Sequence, residues 1–158
     1  MKSELPLSAS DKPAKARAIR LGFLDTLIGY HLRRAQVGLF QHFARTVGRA
    51  GVTPGQLGVV AMIGANPGLS QTRLGRALGI DRSTMVAVID ALEKRGLVVR
   101  EVSPNDRRSH ALRLSGKGTE LMGRLEDAAR AHESDWAGNL SAAERRQLIE
   151  LLRRLVTE

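Results

Sequence analysis

Asp81-Arg82-Ser83-Thr84-Met85-Val86-Ala87-Val88-Ile89-Asp90-Ala91-Leu92-Glu93-Lys94-Arg95-Gly96 is the stretch that decides the fold. Asp81 has the short acceptor side chain of a helix N-cap, Thr84 sits at the third helical position, and Gly96 supplies the left-handed residue that ends a helix. Between these limits Met85, Val88, Ile89 and Leu92 recur at i, i+3, i+4 and i+7, a single stripe directed at a core. Arg82, Ser83, Ala87, Asp90 and Lys94 point elsewhere. Just upstream, Ser70 to Gly79 spells a second short helix with Leu74, Ala77 and Leu78 inward, and Gly79-Ile80 leaves only a tight turn. Helix, Gly-containing turn and helix make a helix-turn-helix, whose second helix is suited to a DNA major groove.

Downstream, Leu97-Val98-Val99-Arg100-Glu101-Val102 is rich in β-branched residues, Ser103-Pro104-Asn105-Asp106 is turn chemistry, and Ser109 to Leu114 partly restores apolar alternation. The expectation is a β-hairpin with Asp106-Arg107-Arg108 at its tip, a basic loop placed to reach phosphates or a minor groove. The run from Leu69-Ser70-Gln71 through Leu74, Ala77-Leu78-Gly79, Ser83-Thr84-Met85 and Leu92-Glu93-Lys94-Arg95-Gly96-Leu97-Val98, on to Pro104-Asn105-Asp106-Arg107-Arg108 and Leu114-Ser115, resembles the MarR family of winged helix-turn-helix regulators. The hairpin tip, followed by Leu-Ser-x-x-Gly and two long helices, is its most specific part. The resemblance implies a mainly α fold with a small β-hairpin wing, flanked by N- and C-terminal dimerisation helices.

The remaining segments suit that plan. Residues 1–13 have no secretory hydrophobic core and read as a mobile tail, and residues 14–158 read as one domain. A long first helix is expected from about Ala14 to Val47, with 14–48 serving dimerisation. Leu21, Leu24, Ile28, Leu32, Ala35, Leu39 and Phe43 form its main stripe, while Phe23, Leu27, Tyr30, Val37 and Phe40 lie off it, so the helix is apolar on more than one side. In so short a chain a second copy is the simplest cover. Thr53-Pro54-Gly55-Gln56 is a capping box opening a helix over Leu57 to about Gly64, packed through Leu57, Val60 and Ala61. It begins the winged helix-turn-helix of 53–115. In the dimerising segment 116–158, Leu121, Leu125, Ala128, His132 and Trp136 share a helical face, and Ser141-Ala142-Ala143-Glu144 caps a last helix carrying Leu148, Leu151, Leu152 and Leu155.

Lys and Arg outnumber Asp and Glu by 25 to 16, giving +9 at pH 7. Such an excess serves solubility as readily as polyanion binding; its coincidence with the helix-turn-helix and basic tip favours the second. There is no cysteine, hence no disulfide, thiolate metal site or thiol switch. Within the family it resembles, that excludes the peroxide-sensing branch. No apolar run is long enough to cross a bilayer, so the expected location is cytoplasmic. Gly-x-Ser-x-Gly, P-loop and dinucleotide fingerprints are missing, and His42, His110 and His132 lack metal-ligand spacing. Neither catalysis, a metal nor a cofactor is expected.

The expected partner is a double-stranded DNA operator, pseudo-palindromic because a homodimer reads it. Ser83, Thr84 and Ala87 are compact enough to approach base edges, and Arg82 suits guanine or phosphate. Ser70, Gln71 and Arg73 stand at the start of the preceding helix, where free backbone N–H groups favour a phosphate. Arg107 is either a phosphate contact or a solvated loop residue. By the resemblance, Arg108 enters the minor groove and pairs with Asp90, coupling hairpin to recognition helix; on the residues alone, Asp90 is an ordinary exposed carboxylate. Leu27 to Gln36 resembles the branch governing aromatic-acid catabolism, whose effectors are aromatic acids and their CoA thioesters. Tyr30, His31, Arg33 and Arg34 suit a carboxylate or CoA phosphates, or else a solvated turn or an inter-helix ion pair. The expected function is a repressor released from its operator by such a small molecule. An activator, or an architectural protein binding DNA regardless of sequence, is the alternative.

Overall fold

Short polar side chains start five of the six α-helices among the described residues. Thr53, Ser70, Asp81, Ser115 and Ser141 each accept a hydrogen bond from a backbone N–H in the first turn. Each satisfies a donor that the helix cannot pair internally. The computed structural model describes residues 19–103 and 106–156, and the side chains of all of these but 102, 103 and 106–110.

The first helix, α1, runs over Ile28–Arg45. The expected start near Ala14 lies outside the described residues, but the helix is not continuous upstream of Ile28. Gly22 takes a left-handed φ of 62° and opens a separate 3-10 turn, Gly22–Thr26, while Leu27 is extended. Val47 likewise leaves the helix for a second 3-10 turn, Val47–Ala50, where it is buried. Helix α2 occupies Pro54–Ala65 behind the expected capping box, beginning three residues earlier than the apolar run because Pro54 fits the first turn. Val59, Val60 and Ile63 are its buried residues; Leu57 and Ala61 are half-buried at the margin.

After a two-residue strand β1 (Leu69–Ser70) come α3 (Gln71–Leu78) and α4 (Arg82–Lys94), then β2 (Val98–Ser103) and β3 (Asp106–Leu114). The sheet is antiparallel in the order β1-β3-β2, so the expected hairpin gains a third strand, in which Leu69 pairs with Leu112 and Ser70 with Ala111. That pairing ties the start of α3 to the wing. Asp106, Arg107 and Arg108 belong to β3 along the backbone. In α3 the inward positions are Leu74 and Gly75, with Leu78 half-buried; Ala77 is exposed, because the buried stripe is turned to the other side of Leu74. In α4 the stripe is as expected, with Met85, Ile89 and Leu92 buried and Val88 at its edge.

These residues meet Val60, Ile63, Leu97, Leu112 and Leu125 in one aliphatic core, each worth about 1.5–3 kcal/mol of burial. Helix α5 (Gly116–Trp136) threads this core. Its start is pinned by a close approach: a Cβ at Gly118 would collide with the backbone carbonyl of Leu97, which also accepts from Ser115 N at 3.0 Å. Helix α6 (Ala142–Leu155) has no buried residue at all. Leu148, Leu151, Leu152 and Leu155 are exposed, as are Phe23, Ile28, Leu32 and Phe40. The surplus apolar faces foreseen for the terminal helices are therefore uncovered in a single chain.

Candidate nucleic-acid interface

The exposed end of α4 is built around Asp81. Its Oδ1 accepts from Thr84 N at 2.9 Å, capping the helix, and from the Ser83 hydroxyl at 2.5 Å. The Ser83 hydroxyl, then the side chain and backbone of Thr84, hold the Asp81 carboxyl well below the usual carboxylate range. The cap is thus charged at any working pH. It also commits the only proton of the Ser83 hydroxyl, leaving that oxygen with lone pairs to offer outward. Arg82, Ser83, Thr84 and Ala87 are all exposed, beside the methyl groups of Val86. The small polar face read from the sequence is therefore free of the core.

One turn of chain before it, Ser70 Oγ accepts from Arg73 N at 3.4 Å, a weak cap that leaves the first turn of α3 open. Arg73 is exposed, while Gln71 and Ser70 are half-buried. A groove of about 670 Å³ runs between the two helices, lined by Gln71, Thr72, Arg76 and Arg82 among others, so Arg76 of α3 and Arg82 of α4 border one concavity. The side chains of Arg107 and Arg108 lie outside the described residues, and with them the expected Asp90–Arg108 pair.

Asp90 has another partner. Its Oδ1 accepts from Arg100 at 2.5 Å, and the second terminal nitrogen of the same guanidinium donates to Glu93. Sequence reading passed over Arg100 and Glu93. A signal was present: Arg100 follows Val98 by two residues, so the strand period places it on the core side of β2, where a charge requires partners.

The four residues noted in α1 do not converge. His31 Nε2 lies 2.8 Å from the Asp25 carbonyl, Arg33 donates to Gln36 Oε1 at 3.1 Å, and Arg34 stacks over the Tyr30 ring at 5.9 Å. Only His31 of the four borders the cleft of about 590 Å³ between α1 and α6, whose walls are Ile28, Leu32, Ala35, Leu148, Leu151 and Leu152, with Arg154 at the edge. Farther along α1, His42 bridges to α5. Its Nε2 donates to Asp135 Oδ2 at 2.8 Å, and its Nδ1 lies 2.6 Å from Nδ1 of buried His132. One of the two facing Nδ1 atoms carries the proton and the other accepts it, and His132 Nε2 is left buried without a partner.

A winged helix-turn-helix with an exposed polar recognition helix is a surface suited to duplex DNA. The sequence matches the model of the MarR family over residues 50–109. A protein of Thauera aromatica assigned as a transcriptional regulatory protein for the hcr operon is 44% identical over 147 residues, 91% of this chain and 89% of that one. The transcriptional repressor CouR bound to a 23-mer DNA duplex superposes with a TM-score of 0.83 at 40% identity, covering 88% of this chain and 99% of CouR. CouR bound to p-coumaroyl-CoA gives 0.80 at 38%, over 89% and 99%. The PcaV transcriptional regulator of Streptomyces coelicolor with its natural ligand gives 0.78 at 30% identity, over 89% and 96%. The chain belongs to the MarR family and is a regulator of transcription, similar to CouR, to PcaV and to the hcr-operon regulatory protein.

Proposed function

We propose that two copies of this chain bind a pseudo-palindromic operator, repress transcription from it, and release it on binding an aromatic acid or its CoA thioester. The observation that carries the reading is the paired character of the surface. The α4 face of Ser83, Thr84 and Ala87 is polar and free, while α6 exposes a row of leucines with no cover within the chain. A second copy covers those leucines and α1, and sets two recognition helices about one turn of duplex apart. Ser70, Gln71 and Arg73 then hold phosphates beside α3, with Arg82, Arg107 and Arg108 as further cations. Base readout by α4 makes the protein a sequence-specific regulator rather than an architectural one.

CouR with p-coumaroyl-CoA and PcaV with its natural ligand support the effector class. The cleft between α1 and α6 suits an aromatic ring against aliphatic walls, with His31 and Arg154 at the edge for a carboxylate or thioester. Arg33 and Arg34 are exposed on the same helix and available to phosphates of a CoA moiety. A repressor of this kind acts in the cytoplasm, beside the chromosome.

Two measurements test the reading. Selection from a random duplex library should enrich an inverted repeat bound at least 10³-fold tighter than random duplex, with affinity falling about 10³ to 10⁵-fold between 50 and 200 mM salt. Enrichment of no sequence, or a flat salt response, would contradict it. A thermal-shift screen of aromatic acids and their CoA thioesters should then find a stabilising compound that also releases the selected duplex.

A further inference from the structure

We propose that Arg100 is the positioning residue that fixes the roll of the recognition helix against the wing, and so sets which bases α4 meets. The inference rests on the sequence-specific DNA reading above.

Arg100 stands in β2 opposite Leu112, on the side of the strand that carries buried Val98. Its side chain is only 21% exposed. Burying a guanidinium without partners is strongly unfavourable, and both of its partners come from α4: one terminal nitrogen donates to Asp90, the other to Glu93. The carboxylates stand one helical turn apart, so a single planar group grips the helix at two points and resists its rotation about its axis.

Helical spacing shows what that grip controls. Ser83, Ala87 and Asp90 fall at i, i+4 and i+7, so Asp90 continues the very stripe that carries the base-facing residues. A few degrees of roll at Asp90 moves Ser83 and Ala87 by the same angle. Charge gives Arg100 a second task. Asp90 and Glu93 stand near the C-terminal end of α4, where the helix dipole disfavours anions, and Asp90 lies on the stripe that approaches a polyanion. Arg100 neutralises them from behind, inside the protein, where it is not spent on a phosphate.

The test uses the full-length protein, with the duplex that the wild type enriches from a random library and a random duplex of equal length. Arg100→Gln should weaken binding to the selected duplex by roughly 3- to 30-fold. Affinity for random duplex and the slope of log affinity against log salt should stay as in the wild type. Glu93→Gln, which changes a half-exposed carboxylate facing the protein, should lose selectivity in the same sense. Combined with Arg100→Gln, it should add little, since both break one cluster.

Equal losses on both duplexes with a salt slope lowered by about 0.9 would make Arg100 a phosphate contact and overturn the proposal. So would unchanged selectivity, or losses that simply add in the double variant. Should Arg100→Gln fail to fold, Glu93→Gln alone decides: retained selectivity refutes the positioning role, and lost selectivity supports it. A wild-type protein that enriches no sequence refutes the specific-binding reading itself, and this inference falls with it.

Discussion

At the scale of single residues, hydrogen bonding decides more than residue type. Ser83 is legible in the sequence as a small polar group on the recognition helix, but not as a group whose proton is already taken by Asp81. In the proposed complex an oxygen in that state would meet the major groove as an acceptor, matching an exposed amino group, adenine N6 or cytosine N4. Ser83→Ala should therefore cost about 1 kcal/mol at one base-pair position of each half-site and relax selectivity there, measured by competition with singly substituted duplexes. Asp81→Gly removes the oxygen that accepts the Ser83 proton, at a modest cost in capping, and should shift that preference toward bases offering an acceptor. Gly118 is a second such residue. Its place in a Leu-Ser-x-x-Gly run is visible in the sequence, and its reason is the Leu97 carbonyl against which α5 begins. Gly118→Ala should cost at least about 3 kcal/mol in urea denaturation, more than ordinary overpacking, because backbone rather than a side chain must give way.

At the scale of elements, the joints between helices matter most. The contact of α1 with α5 is a chain from Asp135 through His42 to His132, with Thr46 Oγ1 3.3 Å from His132 Nδ1 and the Phe43 ring edge-on to the His132 ring. Burial, then the neighbouring His42, pushes the His132 imidazole down from its ordinary range, against a smaller opposing effect of Glu133 and Asp135. The unfolded chain thus takes up this proton more readily than the folded one. The stability that His132 supplies is whole above about pH 6.5 and declines as pH falls below it. Melting temperature should drop from pH 7.5 to 5, and His132→Gln should flatten that dependence; an equal slope in both proteins would remove His132 as its source. Helix α1 shows how periodicity misleads about ends. Its apolar repeat runs on through Leu21 and Leu24, yet Gly22 breaks the helix there, so the same apolar residues are carried by a 3-10 turn.

At the scale of the whole molecule, the uncovered faces organise everything else. Leu151 is 45% exposed and Ile28 65% exposed, on the two terminal helices that frame the DNA-reading module. Surface of that kind in contiguous rows marks an association site rather than ordinary apolar exposure. A double change of Leu148→Glu and Leu152→Glu should yield a monomer in sedimentation equilibrium. Its affinity for the inverted repeat should fall toward that of a single half-site, because two linked contacts gain from one another's presence. A variant that stays dimeric and binds as before would place the interface elsewhere.

Sequence alone determined the helix-turn-helix, the capping residues, the turn glycine at Gly79 and the apolar surplus of the terminal helices. These are local: a cap, a positive φ or a 3.6-residue stripe is written within a dozen residues, and the family's motif spans the same stretch. Tertiary structure decided the third strand that ties Ser70 to the wing, the clamp of Arg100 on Asp90 and Glu93, the two-histidine joint, and the collision awaiting any side chain at Gly118. Each depends on atoms brought together from distant elements, such as His42 and His132. The energy of such a contact comes from burial and from the geometry of a partner that no local pattern specifies.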